Sequence, residues 1–152
     1  MAVLRLDWTA VGDFVRDLCE WCLWATLTFP VPTSIGRAHE RFRKTCRALA
    51  RGSGEHVWVA WGWEPQRRGV LHFHALFGLP VGSQALLRAG DVRRHWGRGE
   101  KRVEEYEPER GAPYYLARHA EWDVNVACHR PPRCRRAHGC RVAPGPWSAQ
   151  PS

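Results

Sequence analysis

The sequence predicts an α+β fold, on three observations. Residues 22–29, 56–64 and 69–77 alternate their side chains with the period of two that a half-buried strand requires. The second and third of these runs are joined by a tight turn, so they pair antiparallel. Between and after them lie stretches with apolar residues at helical spacing, giving the order strand, helix, strand, strand, helix, strand, helix.

Taken in order, residues 7–21 read as a helix with Val11, Phe14, Val15 and Leu18 on one stripe. In the strand 22–29, Leu23, Ala25, Leu27 and Phe29 form one face and Trp24, Thr26 and Thr28 the other, before Pro30 and Pro32 end it. Thr33 or Ser34 caps a helix running to residue 50 with Ile35, Ala38, Phe42, Cys46 and Leu49 inward. Its outer side carries Arg37, Arg41, Arg43, Lys44 and Arg47, either a solvated face or a phosphate-contacting one. One hairpin register brings the apolar faces of the next two strands together: Val57 against Phe77, Val59 against Ala75, Trp61 against Phe73 and Trp63 against Leu71. The other face then sets Ala60 across from His74, Gly62 across from His72 and Glu64 across from Val70, through a five-residue connection, Pro65 to Gly69. Residues 83–96 suggest a helix interrupted by Gly90, and 102–106 a charged edge strand. Gly111-Ala112-Pro113 opens a last helix, on which Tyr115, Arg118 and His119 share a face while Tyr114 points roughly 100° away. From about Asp123 the pattern lapses. Residues 128–152 hold five prolines, five arginines, three cysteines and no acidic residue, which describes a basic tail ordered only by DNA, metal or a partner.

Composition narrows the function classes. A chain of 152 residues is expected to form one main domain. Lys and Arg outnumber Asp and Glu 23 to 15, a net charge of +8, and such a surface draws polyanions, nucleic acid foremost. Nine tryptophans serve core filling and, in part, base stacking. The first residues lack the apolar run of a signal peptide and no stretch reaches membrane-spanning length, so a cytoplasmic protein with reduced cysteines is expected. Cys19-x-x-Cys22 with His129, Cys134, His138 or Cys140 offers a zinc site, although the spacing Cys128-x5-Cys134-x5-Cys140 fits no zinc signature.

The chemistry concentrates in Leu71-His72-Phe73-His74-Ala75-Leu76. Alternation turns His72 and His74 to one face, where two imidazoles can hold a divalent metal. In the register above, Glu64 lies diagonal to His72 and within reach of a shared ion. Ala60 and Gly62 leave space beside the imidazoles for a phosphate. A tyrosine from elsewhere in the fold can then attack a phosphate that the metal has polarised.

These pieces, in this order, resemble the HUH endonucleases, specifically the rolling-circle replication initiator (Rep) proteins. The first family motif is similar to Trp24-Ala25-Thr26-Leu27-Thr28-Phe29, the second to Glu64-x4-Gly69-Val70-Leu71-His72-Phe73-His74-Ala75-Leu76, and the third, tyrosine-x-x-lysine on a helix, to Tyr115-Leu116-Ala117-Arg118. The resemblance implies a central antiparallel sheet flanked by helices, similar to an RNA-recognition fold, in a nickase domain over residues 1–125 followed by a basic Cys/Pro-rich tail over 126–152. It implies that His72, His74 and Glu64 hold Mn²⁺ or Mg²⁺ and that Tyr115, assisted by Arg118, forms a 5′-phosphotyrosine with an origin strand. Single-stranded or hairpin DNA is the implied partner, contacted by Thr26, Thr28, Arg37, Arg41, Lys44, Arg67 and Arg68. A host helicase would supply unwinding.

Two departures stand out. Arg118 occupies the position of the family lysine, keeping the charge but not the compact ammonium. His119 occupies the position of a second tyrosine, so a single-tyrosine enzyme is expected. The rival readings are a single-tyrosine HUH transposase, a DNA-binding repressor that does not cut, and a zinc-dependent interaction module built on the tail.

Overall fold

The computed structural model describes residues 7–66, 69–97, 99–118 and 124–132. Their elements are α1 (Trp8–Arg16), β1 (Glu20–Thr28), α2 (Ile35–Ser53), β2 (Val57–Pro65), β3 (Leu71–Leu79), α3 (Ala89–Trp96), β4 (Lys101–Glu105), a 3-10 turn (Pro108–Arg110), α4 (Ala112–Arg118) and β5 (Asn125–His129). The strands form a single antiparallel sheet in the order β4-β1-β3-β2-β5. This is the expected α+β architecture, and β1 to β4 with α2 and α3 follow the β-α-β-β-α-β order of ferredoxin-like sheets. Among the described residues, no helix is long and apolar enough to cross a membrane.

Each face of the sheet carries its own packing. Leu23, Ala25, Leu27 and Phe29 of β1, Val57, Val59 and Trp61 of β2, Leu71, Phe73, Ala75 and Phe77 of β3 and Val103 of β4 are buried against α2 and α3. The Phe42 ring lies 5.3 Å from Phe73 and 5.1 Å from Trp61, and Phe29 meets Trp96 edge-on at 4.9 Å. Fully burying one such ring is worth about 1.5–3 kcal/mol. On the opposite face α1 and α4 cover one end only, packing Val15, Ala112 and Leu116 over Ala60, Leu76 and Trp21. The other end of that face carries the histidines.

The hairpin register differs from the sequence-based one by two residues. Gly62 pairs with His74, Trp63 with Phe73 and Glu64 with His72. A shift of two preserves which face every side chain occupies, so the apolar face stays inward. It arises at the turn, where Gln66 N–H donates to the Val70 carbonyl at 2.8 Å and Gly69 adopts φ +70°, so pairing runs on to Pro65↔Leu71.

Other boundaries also shift. The first helix stops at Arg16 instead of residue 21, because β1 takes the chain from Glu20 and the Trp21 indole donates to the Val15 carbonyl at 2.8 Å. Phe14 is therefore exposed and not on the buried stripe, as is Ile35 in the first turn of α2. Only Ala89–Trp96 of the stretch 83–96 is helical, with Gly90 inside its first turn. Beyond Asp123, where the sequence pattern lapses, the chain forms β5, which pairs with β2 from Val57↔His129 to Trp61↔Asn125. That strand takes up the first four residues of the tail read from residue 126.

A clasp joins α1 to α4. The Tyr114 hydroxyl donates to Asp13 Oδ1 at 2.5 Å and accepts from Arg16 at 2.6 Å. Its ring lies flush on the α1 backbone at Gly12, where any Cβ would overlap ring carbons. Gly→Ala inside a helix ordinarily gains about 1 kcal/mol of propensity, whereas forcing atoms into a packed contact typically costs about 1–3 kcal/mol. Gly12→Ala is expected to destabilise the protein in urea denaturation. Gly36→Ala on α2, with nothing within 4 Å of the added carbon, is expected to be neutral or stabilising.

Candidate functional site

Three adjacent strands build the site. On the open face, His72 of β3 sits between Thr28 of β1 and Glu64 of β2, and His74 sits between Thr26 and Gly62. Sheet pairing thus delivers five side chains to one patch without any loop in between. The imidazoles meet edge-on with centroids 4.5 Å apart.

Both imidazoles turn the same nitrogen toward the carboxylate. His74 Nε2 lies 3.4 Å and His72 Nε2 3.7 Å from Glu64 Oε1. The ligand atoms of Glu64, His72 and His74 all fall within 4.8 Å of one another, so the cluster can hold a divalent metal. The separations are close to the roughly 3–3.5 Å between neighbouring ligands whose bonds to a common ion are about 2.1 Å long. Two imidazoles with one carboxylate form a mixed donor set that suits a first-row or hard divalent cation.

The other nitrogens are held from β1. Thr28 Oγ1 lies 3.1 Å from His72 Nδ1 and Thr26 Oγ1 3.3 Å from His74 Nδ1. Metal ligation through Nε2 requires the proton on Nδ1, and a hydroxyl oxygen accepts from it there. The Gln66 amide reaches His72 Nδ1 at 2.7 Å, and it serves the same tautomer when it presents its oxygen, the two ends of an amide being alike in shape. Burial pushes the His72 imidazole below its usual range, against the opposing pull of Glu64 and Glu100. The neutral form that a metal needs is thereby favoured.

Tyr115 is delivered by α4. Its hydroxyl lies 3.5 Å from His74 Nε2, and its ring packs edge-on to His74 at 5.1 Å. Burial, then the charge of Glu64, pushes its phenol above the ordinary range. Trp24, two residues before Thr26 on the same face, stacks on His74 with planes 6° apart and meets Tyr115 at 83°. Tyr114 is turned away into the clasp with α1, so two adjacent tyrosines have separate tasks.

The sequence-derived site residues therefore divide. Glu64, His72, His74, Thr26, Thr28 and Tyr115 converge, and Arg118 is exposed at the end of α4. Arg37 and Lys44 are exposed on α2, across the sheet from the histidines. Arg41 is folded over the Trp96 ring at 4.7 Å and donates to the Trp96 carbonyl at 2.5 Å, tying α2 to α3. Arg67, Arg68, His119, Cys134, His138 and Cys140 lie outside the described residues. Ala60, fully buried, opens no space for a phosphate. Ala60 is buried with Leu116, and Leu116 also lies over Gly62, so their small size admits α4. Gln66 and Trp24 carry no site signal in the sequence alone, although alternation already sets Trp24 on the histidine face.

If the threonines fix the metal-competent tautomer, removing one should loosen metal without removing a ligand. Thr28→Val is expected to lower Mn²⁺ affinity by about ten- to hundredfold, measured by isothermal titration calorimetry, with far-ultraviolet circular dichroism unchanged.

The comparisons with known proteins agree with this arrangement. A family model, that of the replication-associated protein ORF2, matches residues 22–121, about two thirds of the chain, from β1 through the tyrosine helix. No curated protein and no solved structure matches. With its histidine pair, the strands that flank it and its tyrosine helix all inside the matched span, the chain belongs to this family of replication-associated proteins.

Proposed function

We propose that the protein is a metal-dependent HUH-type nickase and strand transferase, which cleaves single-stranded DNA at an origin to start rolling-circle replication. One observation carries this reading: the Tyr115 hydroxyl, the His72–His74 pair and Glu64 converge on one patch of an open sheet face, with Tyr115 3.5 Å from His74 Nε2. A structural metal site would have no use for a phenol at its edge.

In this mechanism Glu64, His72 and His74 hold Mn²⁺ or Mg²⁺. An ion held there would supply positive charge to offset the charge of a scissile phosphate. Tyr115 gives its proton to solvent water and its oxygen attacks phosphorus in line with the departing O3′. The P–O3′ bond breaks and O3′ takes up a proton. One fragment leaves with a 3′-hydroxyl, and the other stays on the protein as a 5′-phosphotyrosine. Because the phosphoester energy is retained in that bond, a later 3′-hydroxyl can reverse the step and rejoin a strand.

Arg118, one turn beyond Tyr115 and exposed at the end of α4, would meet the strand by contacting one of its phosphates. Thr26 and Thr28 act through the imidazoles they hold. Phosphates further along the strand fall to exposed cations such as Arg37 and Lys44, since Arg41 is engaged with Trp96. The origin sequence would be read by base contacts distinct from these.

The test uses labelled single-stranded oligonucleotides with candidate origin hairpins, Mn²⁺ or EDTA, and a denaturing gel. Wild type and Tyr114→Phe are expected to give a metal-dependent covalent adduct, which Tyr115→Phe abolishes. His72→Ala and His74→Ala are expected to reduce it by about a hundredfold or more, since the metal term is worth several kcal/mol. Tight hairpin binding with no adduct from any form would favour a DNA-binding repressor instead.

A further inference from the structure

Where the metal-binding cluster adjoins the nucleophile, three rings meet. The Trp24 indole lies parallel to the His74 imidazole, with planes 6° and centroids 5.6 Å apart. The Tyr115 ring stands nearly perpendicular to both, at 83° to Trp24 with centroids 5.7 Å apart and at 77° to His74 with centroids 5.1 Å apart. Trp24 is therefore in ring contact with a candidate metal ligand and with the nucleophile at once, and none of the chemistry above gives it a task.

We propose that Trp24 is a positioning residue: its indole fixes the plane of the His74 imidazole and the seat of the Tyr115 phenol together. Ligand and nucleophile then keep one relative geometry. The Tyr115 half rests on the nickase reading, and the His74 half only on the metal cluster. Three observations carry it. Thr26 Oγ1, 3.3 Å from His74 Nδ1, holds the imidazole at a single atom, and a contact at one atom leaves the ring free to tilt about it. A flat wall parallel to the ring opposes that tilt, since offset-stacked and edge-on aromatic pairs attract at centroid separations of about 4.5–7 Å. Tyr115 is 38 % exposed, and the rings it leans on are those of His74 and Trp24. Finally, Trp24 is itself anchored. On β1 it pairs with Leu76 of β3 and Glu104 of β4, and it packs against the cluster that contains Val15, Trp21, Leu76 and Leu116. A ring held by packing on one side and laid against the site on the other is a rigid support.

Such a wall needs flatness more than it needs apolar surface. Trp24→Leu keeps an apolar side chain against Leu76 and Leu116 but offers no face to the imidazole and no flat surface to the phenol. Trp24→Phe retains a flat ring of smaller area. The two substitutions therefore separate positioning from packing.

Wild type and the two variants, each as the whole protein, are compared in two measurements. Calorimetric titration with Mn²⁺ in the absence of DNA reads the imidazole. Trp24→Leu is expected to weaken Mn²⁺ binding by about tenfold, the lower end of what groups that orient a ligand contribute, and Trp24→Phe by about threefold at most. Single-turnover adduct formation, at saturating Mn²⁺ and a labelled single-stranded oligonucleotide that wild type cleaves, reads the phenol. That rate is expected to fall about a hundredfold in Trp24→Leu, as for a misplacement of about one ångström, and to recover to within about tenfold of wild type in Trp24→Phe. Affinity for the oligonucleotide is expected to be the same in all three. A side chain that only packs would lower the urea midpoint and leave both readouts at the wild-type level, and that result would overturn the proposal. So would a phenylalanine variant as impaired as the leucine one, or a deficit that vanishes at saturating oligonucleotide. Should wild type form no adduct with any oligonucleotide, the nickase reading falls and the Tyr115 half with it, and the Mn²⁺ titrations alone decide the His74 half.

Discussion

Everything at the site depends on the two-residue period of β3. One strand sends Leu71, Phe73, Ala75 and Phe77 into the core and presents His72 and His74 on the opposite face. Phe73 is wedged between Phe29 and Phe42, with ring centroids at 5.6 Å and 5.3 Å. A slip of one residue would bury both imidazoles and expose those rings, at a cost far above the few kcal/mol that any single polar contact returns. The hydrophobic core on one face therefore sets the geometry of the polar cluster on the other. Ladders to β1 and β2 extend the same control sideways, which is how Thr28 and Glu64 come to flank His72. A metal cluster built on a sheet in this way inherits its rigidity from packing and not from its own hydrogen bonds.

Helix α4 is only seven residues long, too short to hold its form alone, so its orientation must come from tertiary contacts. Successive helical residues point about 100° apart, and the adjacent tyrosines use that angle. Tyr114 fastens the helix to α1 through Asp13, Arg16 and the bare backbone of Gly12, leaving Tyr115 aimed at His74. From beneath, Leu116 seats on Ala60 and Gly62. The small residues of β2 serve the approach of the helix. This double anchorage fixes the Tyr115 hydroxyl beside His74.

Face membership was legible in the sequence, but distances along each face were not. Alternation assigns Thr26 and Thr28 to one face of their strand and His72 and His74 to one face of theirs. Matching of the apolar faces through a five-residue connection adds Glu64, and the helical period separates Tyr115 from Tyr114. Register is a different quantity. It is set where the hairpin closes, and closure at Gln66 and Val70, with Gly69 at positive φ, depends on turn conformation that composition does not specify. Glu64 thus faces His72 directly instead of diagonally. The pairing of β1 with β3 joins segments more than forty residues apart, so the threonine–imidazole contacts had no local signal. Periodicity likewise overran the end of α1 and the start of α3, because a stripe continues through residues that tertiary pairing claims for strand or loop. The edge strand β5, Asn125–His129, is short and mixed in polarity, and it exists through its pairing with β2.

The net charge of +8 is not concentrated at the site. Beside the histidines stands Glu64, whereas Arg37, Arg43, Lys44, Arg47 and Arg51 ride on α2 across the sheet. The cationic face of α2 and the Glu64–His72–His74 cluster are therefore different surfaces. Exposed cations raise the encounter rate at long range and are screened within about 10 Å at ordinary ionic strength.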